Sequence, residues 1–157
     1  MNLVKEREDL EVFSFIFGIC IGSFLNVMIL RLPLNQSILT RSACPKCNHL
    51  IYWYHNIPLF SYLFLKTKCS YCGVKISFLY FLVEFLSGII TLVLFLKLGL
   101  TSEFVFMCLL SYVLITLSFI DLKYKAVPDY LLLIALVLSF FTSNFSIIET
   151  FKNAFLF

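Results

Sequence analysis

Four apolar runs, at residues 12–30, 76–98, 104–120 and 130–148, limit what this chain can become more than any other feature. Each is about the ~20 residues an α-helix needs to cross the hydrocarbon of a bilayer. In lipid the backbone must satisfy its own N–H and C=O groups, so such runs predict helices. Composition agrees: 61% of the 157 residues are hydrophobic and only 13% are charged, where a soluble domain carries about a quarter charged residues. The expected fold is an all-α integral membrane protein of about four transmembrane helices. It divides into an N-terminal segment and first helix (1–30), a loop (31–75) and a second helical part (76–157). The opening "MNLVKEREDLE" carries more acid than base. No small-residue cleavage site follows the first run, which is therefore read as an anchor that stays.

Charge sets the orientation. Between residues 31 and 75 stand Arg31, Arg41, Lys46, Lys66, Lys68 and Lys75, with no acid. The positive-inside rule places this loop in the cytoplasm. Alternation then puts "GLTSE" outside and the turn carrying Lys123 and Lys125 inside, with the N-terminus outside. Topology thus accounts for the basic residues, which are spread too thinly to make a nucleic-acid surface.

The same loop holds Cys44 and Cys47, then Cys69 and Cys72, each pair two residues apart and the pairs separated by twenty-one. Each CxxC turn can aim two thiolates at one ion, and two turns complete the tetrahedron that zinc prefers. A cytoplasmic loop disfavours disulfides, and a thioredoxin-like site expects one CxxC opening a helix in an α/β pattern. Structural zinc on Cys44, Cys47, Cys69 and Cys72 is the expectation, with His49 and His55 left at the surface. Four thiolates leave no open position for metal catalysis. A loop of ~45 residues is too small for a large core, and a metal clip is the usual remedy. Its aromatic stretches "IYWYH" and "LFSYLF" suit a membrane surface. Cys20 and Cys108 lie inside apolar runs and are expected to behave as small hydrophobes.

Polar residues inside the runs recur at helical spacing. Gly18, Gly22 and Asn26 form a small-residue stripe that allows close helix contact. Tyr80, Glu84, Ser87, Gly88 and Thr91 share a face of the second run, and Ser111, Ser118 and Asp121 a face of the third. Such faces are expected to turn toward a bundle interior or a wet cavity. Burying Glu84 is costly unless it is paired or protonated. Asp121 either marks the point where its helix leaves the membrane or carries chemistry there.

Taken together, "GSFLNVMILRLP" (22–33), the four-cysteine loop with "NIPLFSY" (56–62), "ISFLYFLVE" (76–84) and "IDLKYKAVPD" (120–129) resemble the prepilin peptidases, or type IV leader peptidases, of bacterial inner membranes. The ordered set spans nearly the whole chain. The resemblance implies a membrane-embedded aspartic protease that cuts basic leaders from prepilins or pseudopilins after a glycine at the cytoplasmic face. In many members it implies methylation of the new N-terminal amine with S-adenosylmethionine. By motif position Asp121 is one catalytic aspartate. Asp129, after Pro128, reads as a helix-start acid, and Glu84 belongs to a different motif; both are supporting candidates. The family's second aspartate lies on a later span in a Gly-x-Gly-Asp motif, and no Gly-Asp pair occurs here. The expectation is therefore a truncated N-terminal part that is not active alone, cut short naturally or in how the sequence was obtained, with a C-terminal half supplied elsewhere as one source of the missing aspartate. Two other classes fit the same residues: a membrane scaffold with a zinc docking module, and a thiol redox membrane protein.

Overall fold

A computed structural model gives the fold. It describes residues 2–40, 47, 49, 50, 71–74 and 77–155, with side chains over the same positions except 2–4 and 143–155. The described elements are helical: α1 (Asn2–Arg31), a 3-10 turn (Leu32–Leu34), α2 (Phe78–Leu98), α3 (Ser102–Tyr124) and α4 (Asp129–Phe155). Three of them, α1 to α3, are long and apolar enough to cross a membrane by length and composition. The fourth expected span corresponds to α4, apolar over Asp129–Thr142 where its side chains are described.

The helix α1 begins ten residues before the first apolar run. Its opening Lys, Glu, Arg and Leu residues are good helix formers, so the charged segment extends the span instead of breaking from it. At ~1.5 Å per residue, thirty residues reach ~45 Å, more than the ~30 Å of hydrocarbon. Residues 5–10 are exposed.

Each terminus has a local cause. Pro33 lies in the 3-10 turn, and having no N–H it cannot continue the α-helical ladder. Asn35 then turns left-handed (φ 52°), donating its N–H to Leu32 O. Ser77 caps α2, its Oγ accepting from Leu79 N, and Thr101 caps α3, accepting from Phe104 N. Gly99 closes α2 at φ 63°, and Lys125 closes α3 at φ 54° with its N–H on Asp121 O. α4 starts at Asp129, and Pro128 O accepts from Leu131 N and Leu132 N.

The core collects Leu25 and Ile29 of α1, Val83 of α2, Tyr112, Ile115 and Ile120 of α3, and Leu131 and Ala135 of α4. Tyr124 OH donates to Leu30 O at 3.3 Å. Leu30 is in the last turn of α1, whose carbonyls lack helical partners. This bond sets the end of α3 beside the end of α1, so Asp121 lies at the same end of the bundle as the 31–75 loop. Of that loop, Cys44 and Cys69, the aromatic stretches and His55 lie outside the described residues.

Candidate functional site

The two polar stripes of α1 and α2 meet as a seam. In lipid no hydrophobic force drives helix against helix, so close packing and hydrogen bonds must do it. Glycines supply the closeness: a Cβ added at Gly18 would stand 2.8 Å from Ser87 O, and one at Gly22 would fall on Ser87 Oγ and 2.7 Å from Glu84 Cα. Ser87 Oγ donates to Gly18 O and to Glu84 O, both at 2.9 Å. Asn26 Nδ2 donates to Tyr80 O at 3.0 Å and lies 3.5 Å from Glu84 Oε1. Glu84 is buried, with the Asn26 amide as one partner. Glu84 and Asn26 thus serve the α1–α2 seam.

The seam continues into α3. Thr91 Oγ1 lies 2.6 Å from Tyr112 OH and 2.7 Å from Ser87 O. Cys108, one turn before Tyr112, is buried beside this contact. Sequence reasoning missed Tyr112, although a signal existed: a tyrosine inside an apolar run must place its O–H on something.

The third stripe behaves differently from expectation. Ser118 and Asp121 are exposed, on the outer side of α3, while Tyr112, Ile115, Thr116, Phe119 and Ile120 face inward. The physical reason is that the serines need no bundle partner. Ser111 Oγ donates to Met107 O and Ser118 Oγ to Leu114 O, each at 2.8 Å within their own helix. A cleft of about 80 Å³ does open between the loop-side ends of α1, α2 and α3, lined by Asn26, Leu30, Ser77, Tyr80, Phe119 and Lys123. Asp121 is not among its lining residues. Asp129 is the first residue of α4, exposed, as a helix-start acid should be.

At the root of the loop, Arg31 Nη1 donates to Ser37 O, Thr40 O and Thr40 Oγ1 at 2.7–2.8 Å. This clamp folds residues 35–40 back on the end of α1, a role the sequence did not reveal. Cys47 and Cys72 are exposed. Between them in the sequence, the rings of His49 and Tyr71 meet with centroids 3.5 Å apart and planes tilted by 31°. That contact brings the residue two beyond Cys47 against the residue beside Cys72.

Long apolar helices joined by a buried polar seam, with a carboxylate near the loop-side end of one of them, define a multi-pass helical membrane protein. The chain belongs to the bacterial peptidase A24 family: residues 16–98 match the model of its N-terminal domain. It is 48% identical to a prepilin leader peptidase/N-methyltransferase of Myxococcus xanthus, over 74% of this chain and 35% of that protein. Proteins of the same name from Vibrio cholerae and Stutzerimonas stutzeri are 40% and 32% identical, over 78% and 90% of this chain and 51% and 57% of theirs. The chain thus spans between about a third and three fifths of the length of these curated relatives. No solved structure matches it.

Proposed function

We propose that this chain is the N-terminal part of a prepilin leader peptidase of the bacterial inner membrane, and that Asp121 is one of its two catalytic carboxylates. The observation that carries the reading is the 48% identity, across three quarters of the chain, to a protein of that name. The exposed position of Asp121 at the loop-side end of α3 supports it. A carboxylate on the outer side of a membrane helix is costly when alone. It is suited to meet a second carboxyl on a helix packed against that side.

The chemistry follows from the pair. Two adjacent carboxyls cannot both ionise easily, so they share one proton. The ionised member takes a proton from water as the water oxygen bonds to the scissile carbonyl carbon, and the protonated member gives its proton to the carbonyl oxygen. Collapse of this intermediate breaks the C–N bond: the carboxyl that took the proton from water gives it to the leaving amine, and the other takes a proton back from the diol oxygen. The substrate is the leader of a prepilin or pseudopilin, cut after glycine at the cytoplasmic face. Transfer of a methyl group from S-adenosylmethionine to the new N-terminal amine extends the reading, in line with the relatives' printed name.

The loop is read as a zinc module held by Cys44, Cys47, Cys69 and Cys72. The His49–Tyr71 contact supports this, since it holds the residue two beyond Cys47 against the residue beside Cys72. Four thiolates suit structural zinc. When bound, the ion supplies folding energy and no catalytic step. The basic loop supports a cytoplasmic placement.

The test is prepilin processing in membranes, read as a gel-mobility shift, by this chain extended through spans that carry the second aspartate. The extended protein is expected to cleave, Asp121→Asn to abolish cleavage, and Asp129→Asn to leave most of it. A helix-start acid is worth at most ~1 kcal/mol. Undiminished cleavage by Asp121→Asn would remove the catalytic role.

A further inference from the structure

We propose that Tyr112 is a positioning residue for Asp121, its hydrogen bond to Thr91 fixing the rotation of α3 about its own axis. This rests on the peptidase reading of Asp121. Thr91 has one hydroxyl proton, and its 2.7 Å contact to Ser87 O uses it. Tyr112 is therefore the donor in the 2.6 Å contact to Thr91 Oγ1. From Ser87 the chain continues to Gly18 O, so α3 is tied through α2 to α1. Tyr112, Thr91 and Ser87 are 7%, 1% and 0% exposed, and water has no access to replace a lost partner.

Apolar packing gives α3 little rotational preference of its own. Apolar residues run around its whole circumference: Leu114 is exposed on the side opposite Tyr112, Val105 and Leu109 are exposed on the Tyr112 side nearer the start of the helix, and Ile115, Leu117, Phe119 and Ile120 are buried. Both sides suit either lipid or a neighbouring helix. A single directional bond can therefore decide which side faces in. Nine residues separate Tyr112 from Asp121, and at ~100° per residue that is ~900°, or half a turn. With the Tyr112 hydroxyl aimed into the bundle, Asp121 points directly away from it. The bond of Tyr124 to Leu30 O holds the loop-side end, but it is longer, at 3.3 Å, and links to α1 alone. A rotation of ~20° would carry a carboxylate ~6 Å from the axis through ~2 Å, enough to spoil proton transfer in a carboxyl pair.

Two measurements test this. In the extended, cleaving protein, Tyr112→Phe is expected to lower kcat for prepilin roughly ten- to hundredfold with KM little changed, and to lower the melting temperature only as far as one buried hydrogen bond accounts for. Thr91→Val should do the same, Thr91→Ser should keep the rate, and the double variant Tyr112→Phe, Thr91→Val should be no worse than either single one. Full activity of Tyr112→Phe, or a loss that Thr91→Ser shares, overturns the proposal. The second measurement needs no activity. In the detergent-solubilised 157-residue chain, N-ethylmaleimide should label Cys20 and spare Cys108, with mass spectrometry locating the label. Thr91→Val should raise Cys108 labelling several-fold and leave Cys20 unchanged, while Thr91→Ser should keep the protection. Unaltered protection in Thr91→Val overturns the rotational lock. An extended wild-type protein that fails to cleave would count against the peptidase reading, while the labelling would still decide the lock.

Discussion

At the scale of single residues, the glycines of α1 set how closely α1 and α2 pack. Gly22 lets Glu84 Cα and Ser87 Oγ approach to where its own Cβ would be. Gly22→Ala must therefore push α2 away, stretching the Ser87 bond to Gly18 O and the Asn26 bond to Tyr80 O together. Overpacking of this kind costs ~1–3 kcal/mol, so the variant should unfold at lower temperature in detergent. Cys20→Ala, two residues earlier and exposed, should melt like the parent. Equal melting of the two variants would mean that the α1–α2 contact is looser than described. Arg31 illustrates the opposite situation, a charged residue whose work is mechanical. Its guanidinium holds three acceptors of the 37–40 turn and so fixes where the loop leaves α1.

At the scale of elements, helix identity and the closely packing face of α1 were legible because lipid enforces helices and small residues recur every four positions, while which helix meets that face was not. Gly18, Gly22 and Asn26 do face Ser87, Glu84 and Thr91. The phase of α3 was not legible, because its spaced serines look like an inward stripe while each serine is content with its own helix's carbonyl. The deciding residue, Tyr112, looks like one more aromatic in an apolar run. α1 reaches ten residues beyond the first apolar run because a charged segment and an apolar one can form a single helix. The loop is the element for which metal should matter most. One zinc per chain is expected, and Cys72→Ser should abolish it and make residues 41–75 protease-sensitive while the spans stay inserted. Metal analysis with limited proteolysis checks this. A stoichiometry near zero with oxidised thiols would favour the redox reading.

At the scale of the whole molecule, the parts share one direction. α1 and α3 end, and α2 begins, on the side where the basic loop emerges, and Asp121 sits there on the side of α3 turned away from the other helices. The account's central claim is that this aspartate is half of a pair completed by a helix on that outer side. The most direct measurement is prepilin cleavage in membranes by this 157-residue chain, with and without a separately expressed fragment bearing the family's Gly-x-Gly-Asp span. The account predicts no cleavage by either piece alone, cleavage by the two together, and none once Asp121→Asn is introduced. Cleavage by the 157-residue chain alone, destroyed by Asp129→Asn, would contradict it and make Asp121 and Asp129 the pair.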